Sequence, residues 1–161
     1  MLKQGAPAPD VSLAVRPREW VSIHDLRDGM PAVLLFFPLA FSGTCTDEIC
    51  TMAENYARFE DLGARVFGIS IDSPYVNARF ARETGATFPI LSDFNKEATH
   101  AYDVYRQDLG GLRGVSERAV FVIDTGGTIA WTWQGEHPGV MPPFDQIEAA
   151  VREVAPTRRG V

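Results

Sequence analysis

The fold of this chain can be worked out from residues 31–50, PAVLLFFPLAFSGTCTDEIC. The apolar run AVLLFF is too short to cross a bilayer and is typical of a buried central strand. This strand must end at Pro38, which has no N–H to donate to a neighbouring strand. A small polar turn follows, and Thr44 with Asp47 three residues later resembles the capping box that begins a helix. The stretch therefore predicts a strand, a turn and a helix, with Cys45 in the first turn of the helix.

Cys45 is the candidate nucleophile of the chain. The free backbone N–H groups and the positive dipole end of a first helical turn favour a thiolate over a thiol. Lowering the pKa of a thiol from about 8.5 to about 6 takes about 3.4 kcal/mol, whereas a helix terminus supplies at most about 2 kcal/mol. We therefore expect a cation from elsewhere in the chain to contact the Cys45 sulfur.

Length and composition are those of an ordinary globular protein. The chain has 161 residues, of which 45% are hydrophobic and 22% charged, enough for one domain with a full core. We expect a single domain over residues 1–161, with a frayed tail from about residue 155. The net charge of −6 argues against nucleic acid or an anionic membrane as a partner. No export signal is recognisable at the N-terminus, so the cytoplasm is the expected location.

The cysteines and histidines do not have the spacing of a metal site or a dithiol motif. Four residues separate Cys45 from Cys50, whereas thiol–disulfide oxidoreductases have a two-residue gap. A zinc site needs about four Cys or His ligands, and His24, His100 and His137 are scattered singly. We expect no metal and no bound cofactor.

Hydrophobic periodicity and turn residues predict an alternation of strands and helices. Strands are predicted at residues 11–15, 20–23, 32–37, 64–70, 88–91, 119–123 and 128–134, helices at 44–62, 73–84, 96–102 and 145–154, a single helical turn at 22–26, and a loop at 103–115. Alternation gives a parallel sheet, and the closing hairpin gives an antiparallel edge. The predicted class is α/β, a thioredoxin-like fold whose mixed central sheet is flanked by helices on both faces.

Three residues of the first stretch carry a resemblance to a known family. Pro38, Ser42 and Cys45 stand at the spacing of the Pro-x-x-x-Thr/Ser-x-x-Cys motif of the peroxiredoxins. FFPLAFSGTC resembles the alkyl hydroperoxide reductase E group, and Cys50 is similar in position to the resolving cysteine of the bacterioferritin comigratory protein group. The likeness extends over nearly the whole chain through GAPAPD, FPILSDF and ERAVFVID. It implies a thiol-specific peroxidase.

The resemblance also implies roles for individual residues. In the family an arginine just before a late strand reaches the reactive sulfur, and Arg118 in ERAVFVID matches that position. The Cys45 thiolate would attack a hydroperoxide and become sulfenic acid while water or an alcohol leaves. Arg118 and the Ser42 hydroxyl are expected to stabilise charge on the oxygens, together with the backbone N–H groups of Cys45 and Thr44. Pro38 is implied to shield the sulfenic acid from further oxidation.

Glu48 and Cys50 each have two interpretations. Glu48 either links to Arg118 or complements the helix dipole. In a regular helix, Cα atoms five residues apart are separated by about 8–9 Å, beyond the roughly 4.4–6.8 Å that a disulfide spans. The resemblance implies that Cys50 resolves the Cys45 sulfenic acid as an intrahelical disulfide, for which the first turns must unwind. Otherwise Cys50 is a small core residue and the enzyme has one catalytic cysteine.

The favoured hypothesis is a peroxidase that reduces hydrogen peroxide and organic hydroperoxides. The resemblance implies recycling by a thiol donor such as thioredoxin, glutaredoxin or mycoredoxin. One alternative is a redox-sensing interaction protein that signals through Cys45 oxidation, and another is a thiol–disulfide oxidoreductase, which the cysteine spacing disfavours. A homodimer is compatible with the resemblance, but no residue pattern selects its surface.

Overall fold

The computed structural model describes residues 1–156, and its elements follow the predicted order except over residues 103–115. In chain order they are β1 Ser12–Arg16, β2 Glu19–Ser22, α1 Ile23–Arg27, β3 Ala32–Phe36, α2 Gly43–Asp61, β4 Arg65–Ser70, α3 Pro74–Thr84, β5 Ile90–Ser92, α4 Glu97–Ala101, β6 Tyr105–Leu109, β7 Leu112–Ser116, β8 Ala119–Ile123, β9 Ile129–Gln134 and α5 Phe144–Val154. Within residues 1–156 no helix is long and apolar enough to span a membrane. Most of the tail expected to fray, residues 157–161, lies outside the described residues.

Seven strands form one mixed sheet in the order β2-β1-β5-β4-β3-β8-β9. Strand β4 pairs in parallel with β3 and β5, whereas β8 is antiparallel to both β3 and β9. Strand β3 is buried along its whole length, as expected for an apolar strand covered on both faces. The predicted mixed sheet is confirmed.

Helices cover both faces of this sheet. Successive side chains of β3 point to opposite sides, so neighbouring residues of this strand pack against different helices. Val33 and Leu35 pack with α2, α3 and α5, whereas Phe36 packs on the other face with α1 and α4. On that second face the Phe121 ring lies 5.7 Å from the ring of Phe36 and 5.0 Å from that of Tyr102, measured between centroids. The thioredoxin-like α/β class is therefore confirmed.

The sequence predicts a loop over residues 103–115, and this prediction is wrong. Strands β6 and β7 form an antiparallel hairpin of their own, separate from the main sheet. Its turn uses Gly110 and Gly111, whose φ angles of 57° and 91° favour glycine. Most side chains of β6 are exposed, so the strand carries no alternating apolar pattern to reveal it.

The N-cap of helix α2 is Ser42, two residues before the predicted N-cap Thr44. Gly43 is the first residue of the helix and Ser42 occupies the N-cap position with an extended backbone, so Thr44 already lies within the first turn. The expected Thr44–Asp47 box is therefore wrong, because a residue inside the helix cannot serve as its N-cap. Cys45 nevertheless lies in the first turn, as predicted.

Candidate active site

The candidate nucleophile and a cation meet where β3 ends. Cys45 belongs to the helix that follows β3, and Arg118 immediately precedes β8. The antiparallel register pairs Phe36 with Ala119, so the end of β3 adjoins the start of β8. Arg118 also points to the face that α2 covers, since it lies two residues before Val120 of that face. Two residues 73 positions apart in the chain are thereby brought into contact.

Arg118 is only 2% exposed and donates hydrogen bonds from all three of its nitrogens. Its Nη2 donates to Cys45 Sγ at 3.0 Å, its Nη1 donates to Glu48 Oε2, and its Nε donates to the Pro138 carbonyl at 2.8 Å. Burial alone would lower the pKa of the guanidinium, but the charges of Glu48 and Cys45 outweigh burial and raise it. The cation that the Cys45 sulfur was expected to need is therefore present, and it stays charged.

Glu48 is linked to Arg118, the first of its two interpretations. It lies beyond the first turn of α2, where the helix dipole has little effect. Its side chain is fully buried, and Oε1 has no hydrogen-bond partner among the described residues. Burial raises the pKa of Glu48 from 4.5 to about 7, although the charge and hydrogen bond of Arg118 act in the opposite direction. The guanidinium is thus shared between a buried thiol and a buried carboxyl group.

A cavity of about 200 Å³ opens beside these groups. Its lining residues come from the start of α2, the end of β6 and three connecting segments, and they are Pro38, Ser42, Gly43, Thr44, Leu109, Arg118, Pro138 and Gly139. Cys45 is fully buried and is not in the cavity wall, but Arg118, which contacts its sulfur, is. The volume exceeds the roughly 30 Å³ that one water molecule takes in the liquid. The cavity therefore has room for a small molecule beside the guanidinium.

Sequence reasoning missed four of the residues that line the cavity, one of which is Gly43, the first residue of α2. Leu109 lies in the hairpin that was predicted as a loop, and Pro138 and Gly139 follow β9. Pro138 contributes a backbone carbonyl, a contact that no particular side chain is needed to make. The only signal for this segment was its Pro-Gly pair, which indicates a turn.

Among the described residues, neither Ser42 nor Cys50 forms a hydrogen bond with the Cys45 thiol or the Arg118 guanidinium. The Ser42 hydroxyl lines the cavity but donates to the Leu39 carbonyl at 2.9 Å. Cys50 is half-buried in α2, and it and Cys45 are both free thiols. Because α2 is continuous over Gly43–Asp61, the two thiols belong to one regular helix. Residues 1–156 contain no group of three or more His, Cys, Asp or Glu side chains that could hold a metal ion.

Comparisons of sequence and of structure with known proteins point to the same family. The AhpC/TSA family pattern matches residues 4–132. Alkyl hydroperoxide reductase E of Mycobacterium tuberculosis is 33% identical over 141 residues, which cover 86% of this chain and 89% of the relative. A chloroplastic 2-cysteine peroxiredoxin of Chattonella marina is 32% identical over 138 residues, covering 80% of this chain and 68% of the relative. The crystal structure of peroxidoxin BcpB from Mycobacterium tuberculosis superposes with a TM-score of 0.84 at 28% identity, covering 96% of this chain and 99% of that one.

Proposed function

This chain belongs to the AhpC/TSA family of peroxiredoxins and is a thiol peroxidase, and from that premise we propose that it reduces hydrogen peroxide and organic hydroperoxides through Cys45. The observation that carries the proposal is the position of Arg118. Its Nη2 lies 3.0 Å from Cys45 Sγ, and the same side chain lines the cavity. A planar and permanently charged guanidinium can donate to a sulfur and to a peroxide oxygen together.

The proposed reaction begins with attack of the Cys45 thiolate on one peroxide oxygen. A sulfur–oxygen bond forms, the O–O bond breaks, and the departing oxygen takes a proton and leaves as water or an alcohol. Arg118 and the backbone N–H groups of Cys45 and Thr44 stabilise the negative charge that develops. The Ser42 hydroxyl can rotate toward the oxygens and add a further donor. Pro38, in the cavity wall, limits access of a second peroxide to the sulfenic acid.

In this proposal Cys50 completes the cycle. Its thiol attacks the sulfenic acid of Cys45, a disulfide forms and water leaves, and an external thiol donor such as thioredoxin, glutaredoxin or mycoredoxin then reduces the disulfide. The first turns of α2 must unwind for this step, and they contain the indifferent helix formers Thr44, Thr46 and Asp47. Two free thiols also suit a reducing compartment, so the cytoplasm is the proposed location.

The test is the intact mass of the reduced protein after one equivalent of hydrogen peroxide. We expect the wild type to lose two hydrogens, Cys50→Ser to gain one oxygen, and Cys45→Ser to remain unchanged. Gain of an oxygen in both the wild type and Cys50→Ser would instead mean a one-cysteine enzyme in which Cys50 is structural. No fast change in either protein would contradict peroxide reduction through Cys45.

Amide hydrogen exchange of the same samples tests the unwinding. If the disulfide joins Cys45 to Cys50, the amides of the first two turns of α2 should lose protection on oxidation, while those of α3 should not. Unchanged protection in an oxidised protein that has lost two hydrogens would contradict an intrahelical disulfide.

Turnover separates the peroxidase from a redox-sensing interaction protein. A sensor needs one reactive thiol, whereas this site adds a buried guanidinium and a cavity lined by Pro38 and Ser42. Sustained peroxide consumption with a thiol donor is expected. A single stoichiometric oxidation with every donor tried would favour the sensor.

A further inference from the structure

Asp72 joins the segment between β4 and α3 to the loop that leads from β3 into α2. We call residues 38–42 the active-site loop. The Oδ2 atom of Asp72 accepts hydrogen bonds from the Ala40 backbone N–H at 2.8 Å and from the Ser70 hydroxyl at 2.8 Å. The backbone carbonyl of Asp72 accepts a hydrogen bond from the Ser92 hydroxyl at 2.6 Å. Strands β3, β4 and β5 are parallel neighbours that end at the same edge of the sheet. Asp72 thus ties the active-site loop to the end of β4 through its carboxylate, and its backbone carbonyl adds a contact to the end of β5.

The active-site loop has a backbone conformation that needs such an anchor. Phe41 has a φ of 68°, a left-handed conformation that is rare for a bulky side chain and that persists only where the surroundings impose it. Its ring packs at 5.1 Å from that of Phe80 but remains 48% exposed, so this packing is incomplete. The N–H that donates to Asp72 belongs to Ala40, the residue immediately before Phe41. The anchor therefore acts next to the strained position.

We propose that Asp72 is a positioning residue for the active-site loop, an inference that rests on the proposed peroxidase function. Its carboxylate fixes the Ala40 backbone, and thereby keeps Pro38 and Ser42 on the two sides of Ala40 in the cavity wall. Asp72 is not among the residues that line the cavity. A hydrogen bond to an ionised acceptor is shorter and stronger than one between neutral groups, which suits a contact that must oppose backbone strain.

The kinetic test compares Asp72→Ala with Asp72→Asn in the rate of Cys45 oxidation by hydrogen peroxide. We expect Asp72→Ala to react about tenfold more slowly, the scale of losing one hydrogen bond to a charged acceptor. Asp72→Asn should stay within about threefold of the wild type, because its amide oxygen still accepts the Ala40 N–H. Asp124→Ala is the matched control: Asp124 Oδ1 also accepts a backbone N–H, that of Thr128 at 2.9 Å, but at the opposite edge of the sheet. Its rate should equal that of the wild type.

Amide exchange of residues 39–42 distinguishes positioning from a general loss of stability. In Asp72→Ala we expect these amides to lose protection while those of β8 and α5 keep it. Unchanged exchange at 39–42, a wild-type rate in Asp72→Ala, or an equal slowing of Asp72→Ala and Asp72→Asn would each overturn the proposal. If the wild type itself fails to react with peroxide, the proposed function fails, and unchanged or lost protection at 39–42 still decides whether Asp72 holds the loop.

Discussion

Arg118 distributes one guanidinium among three acceptors, the Cys45 sulfur, the Glu48 carboxylate and the Pro138 carbonyl. The two hydrogen bonds from Nε and Nη1 fix the plane of the guanidinium, because each constrains a different edge of the group. The remaining nitrogen is then held on the sulfur side of the cavity. The geometry of the guanidinium therefore matters as well as its charge.

Arg118→Lys tests this geometry, because it keeps the charge. We expect the rate constant for hydrogen peroxide to fall by about 100-fold, the scale of losing an oriented donor from a developing oxyanion. A lysine ammonium cannot make the planar, forked contact. Stopped-flow kinetics measures the rate, and ultraviolet absorbance measures the Cys45 thiolate. Arg106→Lys is the control, since Arg106 pairs with Glu117 outside the cavity; equal rates in the two variants would contradict the role of Arg118.

The raised pKa of Glu48 predicts that the free energy of unfolding falls as pH rises. Burial raises its pKa from 4.5 to about 7, so between these values the folded protein holds a proton that the unfolded chain releases. The stability from the neutral carboxyl group is fully present below pH 4.5 and is lost as pH rises through about 7, a span of at most about 3 kcal/mol. Glu48→Gln stays neutral and should not show the loss.

Urea unfolding across this pH range measures the Glu48 effect. The curve of free energy against pH should be flatter for Glu48→Gln than for the wild type. Glu54→Gln, which replaces an exposed residue on the same helix, should follow the wild type. Parallel curves for Glu48→Gln and the wild type would show that folding does not shift the pKa of Glu48.

At the scale of elements, α2 combines a firmly packed body with a lightly held first turn. Ile49, Met52 and Phe59 are buried in the core beneath the sheet, so most of the helix is anchored by apolar packing. Cys45 and Glu48 are three residues apart and share one face, which lets a single arginine reach both. The first turn is held by the contact between Arg118 and Cys45, by the burial of Cys45 and by the active-site loop, while its other side chains are partly or fully exposed. Unwinding of the first two turns is therefore compatible with a helix body that stays anchored by Met52 and Phe59.

Gly114 allows the β7 strand of the β6–β7 hairpin to pack closely against Tyr105 and Lys96. Gly114 has a φ of 78°, and a Cβ there would lie 3.0 Å from the hydroxyl of Tyr105 and 2.9 Å from Lys96 Nζ. We expect Gly114→Ala to lower the free energy of unfolding by about 1–3 kcal/mol, from left-handed strain and displacement of the rigid tyrosine ring. Gly111→Ala is the matched control, with a φ of 91° and open space around its Cβ. Equal losses in urea unfolding would show that strain alone matters.

At the scale of the whole molecule, the active site depends on the register between β3 and β8. This pairing places Ala119 beside Phe36, and so places Arg118 above the first turn of α2. The register is set by the core, since a shift of one residue would turn the buried side chains of β8 to the wrong faces. Packing on the face opposite Cys45 therefore contributes to the geometry of the site.

Phe121 is the residue of β8 through which this packing can be tested. Its ring packs against those of both Phe36 and Tyr102 and is fully buried. We expect Phe121→Ala to lower the free energy of unfolding by about 3–5 kcal/mol. Leu112→Ala, at a side chain that is 54% exposed, should change it by no more than about 0.5 kcal/mol. Chemical denaturation measures both, and similar losses would contradict a core role for Phe121.

Local patterns in the sequence determined most of the architecture. The AVLLF run of β3 is buried as predicted, and α3 begins after Ser73, whose hydroxyl accepts the Val76 N–H, and ends at Gly85 with a φ of 76°. These signals are readable because strand burial, capping and left-handed ends each require particular residue types near one another in the chain. The position of Cys45 in a first helical turn followed from the end of the apolar strand at Pro38 and the short polar turn after it, although the capping box predicted there is wrong.

Tertiary structure alone decided which distant groups complete the site. The link from Glu48 to Arg118, the Pro138 carbonyl on the guanidinium and the bond from Ala40 to Asp72 join segments that are 20 to 70 positions apart. Two of these three contacts use a backbone atom. Every residue type has a backbone carbonyl that can accept, and every type except proline has a backbone N–H that can donate. Such contacts leave no mark on residue identity at the backbone position, and they form only once sheet register brings the segments together. For that physical reason the sequence determined the candidate nucleophile and its helix, whereas the fold decided what surrounds them.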